Sequence, residues 1–212
     1  MSDNETFEVE AEPASAAAIF GDGLGKARRY AELLVRDGEL LGLVGPRELP
    51  KLWTRHILNS AVVAELVADG EDVADVGSGA GLPGIPMAIA RPGAKFTLIE
   101  PMERRSEWLK SVVAELGLIN VTILRARAEE VGLAFDAVTA RAVAALPQLL
   151  RLCVPLTRNG GRVIALKGSK AQDEIEKAKP LMKKLKVSGF EIVHCGSQFL
   201  AEPTLVVRTE VS

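Results

Sequence analysis

Asp75-Val76-Gly77-Ser78-Gly79-Ala80-Gly81-Leu82-Pro83-Gly84 is the stretch on which the fold turns. An apolar run, Asp72–Val76, leads into it, and an apolar segment running to Ala90 leaves it. A strand followed at once by four glycines in eight residues, then by a helix, marks the first turn of an open α/β sheet. Glycine is required there because the backbone must turn tightly and approach a ligand closely. A merely tight strand–helix turn would need one glycine.

Outward from the loop, strands and helices alternate. Strands are expected at 95–100, 121–124, 136–139 and 162–166, with helices at 104–116, near Glu129, and at 146–156. Gly117 is placed to end the 104–116 helix, and Asn159-Gly160-Gly161 reads as a turn. The last two strands, 190–194 and 204–208, are joined by a short connection. A parallel pair needs a crossover of a dozen residues or more, so these two should pair antiparallel at one edge. Pro180 should break or kink the basic helix over 177–186. Two helices, 26–41 and 54–68, precede the first strand as an appended cap. The domain reading is an acidic flexible tail over 1–22, a helical cap over 23–69 and a catalytic domain over 70–212.

Two ligands compete for the loop. Gly79-x-Gly81-x-x-Gly84, with Glu100 beyond it, matches a dinucleotide fingerprint formally. Gly77-x-Gly79-x-Gly81, with Asp75 two residues ahead, matches the loop of S-adenosylmethionine-dependent methyltransferases. Register favours the second, because the glycine directly after the strand is Gly77. Charge agrees: an acid at the strand end repels a pyrophosphate and suits a ligand carrying an ammonium and a sulfonium. The expected fold class is therefore α/β, a Rossmann-like class I methyltransferase: a doubly wound, mostly parallel sheet with an antiparallel C-terminal edge hairpin and an N-terminal helical cap. Asp75, Gly77, Gly79 and Gly81 are candidate cofactor-binding residues, and Glu100 has two oxygens to accept from the ribose hydroxyls. Glu129, beside Ala128, stands either where the adenine should lie or simply as a helix N-terminal acid.

The acceptor is constrained by what is missing. No Asn/Asp-Pro-Pro-Tyr/Phe loop for exocyclic amines follows the fourth strand, which reads Thr139-Ala140-Arg141-Ala142. Neither Cys153 nor Cys195 follows a proline, as a pyrimidine C5 nucleophile usually would; both read as packed thiols. An acceptor with a ready lone pair, such as guanine N7, remains; no proton has to leave it, so no general base is needed, only in-line placement. Arg127 and Arg141, at the carboxyl ends of the third and fourth strands, are the candidates for placing it; elsewhere they would read as surface or ion-paired arginines.

Composition bounds the rest. The 212 residues hold two cysteines without a CxxC and two histidines, too few for a Cys/His zinc site of usual spacing, so no metal is expected. There is no apolar run long enough for a transmembrane span and no basic segment ahead of the acidic N-terminus, so a reduced, cytoplasmic monomer is expected, with no membrane partner. Five of the 28 acids precede Pro13 and no base does, leaving 23 acids against 26 bases in the body. Aromatic residues are only 4%, with a single tyrosine, Tyr30, so no stacking platform for RNA is expected and phosphate contacts should dominate. Arg28, Arg29, Arg55, His56, Arg104, Arg105 and Lys167 are the candidate RNA contacts.

Arg55-His56-Ile57-Leu58-Asn59-Ser60, the loop with its Leu-Pro-Gly-Ile-Pro continuation, Arg127-Ala128-Glu129-Glu130, Arg141-Ala142 and Ala165-Leu166-Lys167-Gly168 occur in this order. Together they resemble the glucose-inhibited division protein B family, from about Tyr30 to the C-terminus. Asn59 departs from the aspartate common in that family. The resemblance implies methyl transfer from S-adenosylmethionine to a guanine N7 in the decoding-region loop of 16S ribosomal RNA, acting on the RNA or on a small-subunit precursor. It also implies that Gly77, Leu82, Ala128, Glu129 and Arg141 contact the donor, with Glu100 near the ribose. The alternatives are the same fold acting on a small molecule or protein, a non-catalytic cofactor-binding module in ribosome assembly, and a dinucleotide oxidoreductase.

Overall fold

The computed structural model describes residues 7–212. Its seven-stranded sheet has the order β3-β2-β1-β4-β5-β7-β6. The strands are β1 (Asp72–Val76), β2 (Lys95–Ile99), β3 (Val121–Leu124), β4 (Phe135–Arg141), β5 (Thr157–Leu166), β6 (Glu191–Cys195) and β7 (Thr204–Glu210). The β3-β2-β1-β4-β5 block is parallel, and β7 runs antiparallel to both β5 and β6, as the short final connection required. The chain winds outward from β1 in one direction and returns through β4 in the other. The carboxyl ends of β1 and β4 therefore open a crevice at the point where the strand order reverses.

Both faces of the sheet are covered, so the central strands are buried almost along their whole length. On one face lie α2 (Leu24–Asp37), α4 (Gly84–Ala90) and α5 (Glu103–Leu116), and on the other α6 (Leu146–Cys153) and α7 (Ala171–Ala178). Tyr30, Leu33, Leu34, Ile57 and Leu58 of the cap are buried in the same core as Phe96, Leu98 and Leu109 of the sheet layer. Cap and sheet therefore share one interior. Gly117 ends α5 at φ +58°, a left-handed cap. Pro180 interrupts the basic helix, which stops at Ala178, tightens over Lys179–Leu181 and resumes as α8 (Met182–Leu185).

The structure departs from expectation in three places. The acidic segment is packed from residue 7 onward, and residues 1–6 of the expected 1–22 tail lie outside the described residues. Helix α1 (Ser15–Phe20) buries Ala16 and Phe20 in the core. Glu10 accepts from the N–H groups of Trp53 and Thr54, and Glu12 forms a bidentate pair with Arg28. Composition pointed to a solvated leader, but its acids are spent on a helix start and an arginine. Second, the expected helix 54–68 is a π-helix over Leu52–Leu58, one α-turn, α3 (Asn59–Ala61), and a 3₁₀ turn over Val62–Leu66. The Ser60 hydroxyl donates back to the His56 carbonyl, and the Arg141 guanidinium donates to the same oxygen, which disturbs the regular ladder. Third, Asn159-Gly160-Gly161 is not a turn but part of β5, bulged against β4; Gly160 N–H and the Gly161 carbonyl bond Val211.

Candidate active site

The loop after β1 is built as its glycines suggest. Gly77, Gly79 and Gly81 adopt φ of +66°, +57° and +84°. A Cβ on Gly77 would stand 2.9 Å from Val143 Cγ2, so this glycine also permits close approach of the segment after β4. The Tyr30 hydroxyl donates to the Ala80 carbonyl at 2.6 Å, pinning the loop to the cap.

Two carboxylates hold the loop from beneath and beside. Asp75 is wholly buried; its Oδ2 accepts from Ser78 Oγ and from the Gly84 N–H at 3.0 Å, while Oδ1 has no partner among the described residues. Burial pushes its carboxyl up to about 7, against the lowering effect of those two hydrogen bonds. Glu100, also buried, accepts from the Gly79 N–H and the Met102 N–H, both at 2.9 Å. Asp75 thus shapes the loop from under it, and Glu100 ties the loop to the end of β2.

Arg141 ends β4. Asp75 pairs with Thr139, so Gly77 and Arg141 continue β1 and β4 side by side. Its Nη1 donates to the His56 carbonyl at 3.2 Å and to Ser60 Oγ at 3.0 Å, and Nη2 reaches His56 Nδ1 at 2.7 Å. Burial lowers the guanidinium's pKa from its ordinary value. Ala142 follows at φ +56°, a strained conformation for a residue with a Cβ. Beyond it opens a cavity of 630 Å³, lined by Arg55, Asn59, Arg141, Val143, Lys167 and Glu174 among others.

The other expected residues divide. Leu82 is half-buried in the glycine loop; Ala128 is buried and Glu129 exposed on the 3₁₀ turn Ala128–Glu130 that follows β3. Arg127 is exposed at the start of that turn and does not line the cavity that Arg141 lines. Arg55 and exposed Arg104 stand near the carboxyl edge, Arg55 only 3.7 Å from Glu48. Arg105 donates to the Gly42 carbonyl. His56 is only 12% exposed, between Glu48 and Arg141, so it does not present a free face to RNA. Lys167 is 8% exposed, paired with Glu174 and donating to the Ala144 carbonyl. Arg28 pairs with Glu12, and Arg29 with Glu32 and Glu115. Glu115 lies in the last turn of α5, the end away from the glycine loop, so the structure does not bring Arg29 to the crevice, and Arg28 lines a separate pocket with Glu12, Val35 and Trp53. Sequence reasoning missed Ser60, Glu48 and the Lys167–Glu174 clamp; Ser60 matters through Arg141, far along the chain, and the other two through local partners that no motif marks.

Residues 24–204 match the family described as GidB, rRNA small subunit methyltransferase G. The chain belongs to the GidB family. It is 55% identical over 208 residues to the ribosomal RNA small subunit methyltransferase G of Leifsonia xyli subsp. xyli, covering 97% of this chain and 99% of that one. The Mycolicibacterium smegmatis protein of the same name is 50% identical, covering 94% and 86%. Among solved structures, M. jannaschii TYW2 in complex with AdoMet shares the fold at a TM-score of 0.58 and 20% identity, over 75% of this chain and 76% of that one. A putative S-adenosyl-L-methionine-dependent methyltransferase of Methanococcus maripaludis does so at 0.60 and 12%, over 79% and 92%. The crevice at the carboxyl edge is the candidate site of this GidB-family chain, and S-adenosylmethionine is the donor expected there from the glycine loop.

The residues present fit that donor. Asp75 Oδ1 is a buried carboxylate oxygen without a partner among the described residues, and Glu100 is a second acid at the same loop. Together they favour a cationic ligand over a diphosphate.

Proposed function

We propose that this chain transfers a methyl group from S-adenosylmethionine to N7 of a guanine in the decoding-region loop of 16S ribosomal RNA. The observation that carries this reading is the pairing of an acid-backed glycine loop with an arginine-lined cavity across Gly77 and Val143. When bound, the donor supplies an electrophilic methyl group on a sulfonium.

Each residue's role follows from its place. Gly77, Gly79 and Gly81 turn the backbone away and leave room for the donor. Leu82, Ala128 and Glu129 would contact it after the first and third strands. Glu100 has free lone pairs on both oxygens for the ribose hydroxyls, beyond the two N–H groups it already accepts. Arg141, beside Gly77, would pair with the donor's carboxylate and, at the cavity mouth, orient the guanine. The ring nitrogen carries no proton, so the residues here need only align it and exclude water. Arg55, Arg104 and Arg127, which project near the carboxyl edge, are proposed to meet phosphates. We read the protein as a cytoplasmic monomer acting on the RNA or on a small-subunit precursor.

Mass-spectrometric mapping of 7-methylguanosine in 16S ribosomal RNA from cells with and without this protein tests the reading. One site should lose its modification and regain it on complementation. An unchanged map would overturn it.

A further inference from the structure

The geometry assigns His56 as a positioning residue for Arg141, acting only while its imidazole is neutral. This rests on the reading that Arg141 holds the donor's carboxylate. The argument begins at Glu48. Its Oε2 lies 2.7 Å from His56 Nε2, and an ionised carboxylate only accepts, so Nε2 carries the ring proton. Nδ1 is then bare. It lies 2.7 Å from Arg141 Nη2, which can only donate. The His56 carbonyl of the π-helix and Ser60 Oγ of α3 add two acceptors for Nη1, so three atoms of one short segment fix the plane of the guanidinium. Glu48 sits on the 3₁₀ turn Pro46–Lys51, giving a relay of Glu48, His56 and Arg141 across three elements.

A second proton breaks the relay at one point. Nδ1–H would then face an N–H of Arg141, donor against donor, and two cations would stand in contact. Arg141 loses its shortest hydrogen bond and turns from the crevice. The charged groups facing His56 are Glu48, Arg141 and Arg55. Burial and Arg141 lower the imidazole's pKa and Glu48 raises it, with the lowering effects prevailing. The switch therefore operates on the acid side of the ordinary histidine range.

Two measurements test this. The chain has only two histidines, so the imidazole nitrogens are readily assigned by NMR in the ligand-free protein. His56 should show the Nε2–H tautomer. Its midpoint should rise in Arg141→Gln, which removes a facing cation, and fall in Glu48→Gln, which removes the anion. An Nδ1–H tautomer, or a midpoint unmoved by Arg141→Gln, would overturn the assignment, whatever the donor reading. The second measurement is calorimetric affinity for S-adenosylhomocysteine between about pH 8 and about pH 5. Protonation of His56 should weaken binding about tenfold, the worth of one hydrogen bond to a charged group. His56→Asn keeps an acceptor near the Nδ1 position and cannot take up a proton. Whatever its affinity at the alkaline end, it should lose that tenfold fall, retaining only the component due to Asp75. Glu48→Gln should move the fall to lower pH. A His56→Asn protein that keeps the full wild-type fall would refute the relay.

Discussion

Asp75 is held in a fold that disfavours its charge. Its carboxyl titrates near 7 in the ligand-free protein, above the ordinary 3.8, because burial outweighs the Ser78 and Gly84 hydrogen bonds. The stability that the protonated form contributes is complete below the ordinary value and is lost as pH rises through about 7. Each unit of raised pKa corresponds to about 1.4 kcal/mol. Asp75→Asn should therefore gain stability relative to wild type as pH rises from about 5 to about 8 in urea titrations. His56, whose value is lowered, contributes with the opposite sign in the same range, so the difference between the two proteins isolates the aspartate. The same variant should bind the donor at least about tenfold more weakly by calorimetry, having lost the anion under the loop. Gly77→Ala meets two obstacles, a φ of +66° and a contact of 2.9 Å with Val143 Cγ2. Val143 is β-branched and yields little. A donor affinity unchanged in Gly77→Ala would count against the loop as the donor site.

At the scale of elements, the Lys167–Glu174 pair joins β5, α6 and α7. Glu174 Oε2 accepts from the Leu146 N–H at the start of α6 and stands 2.8 Å from the Lys167 ammonium. Glu174→Ala would leave a nearly buried ammonium without its anion, at a cost of roughly 3 kcal/mol, while Glu174→Ala combined with Lys167→Met should recover much of it in thermal unfolding. A double variant no more stable than the single would show that the clamp is not electrostatic. The strands were legible from sequence because apolar runs bounded by glycine or a helix leave little freedom of register. The antiparallel edge followed from the length of one connection. The π-helix was not legible: Leu52–Leu58 carries ordinary helical apolar spacing, and what unsettles it is Arg141, far along the chain. The same holds for the site. Gly77, Glu100 and Arg141 stand out by residue type and position, whereas Arg28 and Arg29 looked equally basic in sequence. Their partners Glu12 and Glu115 separate them from the crevice arginines only in three dimensions.

For the whole molecule, the absence of a free leader over residues 7–22 has a measurable effect. Phe20 is 4% exposed within the shared core, so Phe20→Ala should lose about 3 kcal/mol in urea unfolding, where a solvated tail would give no change. The distribution of exposed cations near the carboxyl edge predicts a salt response for RNA binding. If Arg55, Arg104 and Arg127 each meet one phosphate of a single strand, affinity should fall with a log–log slope of roughly −2. Replacing any one by alanine should reduce that slope by about 0.7, and Arg28→Ala should leave it unchanged. A reduced slope in Arg28→Ala would extend the interface onto the outer face of α2.

The Tyr30–Ala80 hydrogen bond gives the protein an internal gauge. Tyr30 is the single tyrosine of the chain, and burial pushes its phenol well above the ordinary value. A phenolate should form readily once the first long helix has lifted from the glycine loop. In alkali, the growth of phenolate absorbance therefore counts those opened molecules one by one, and any ligand that tightens the loop slows the count.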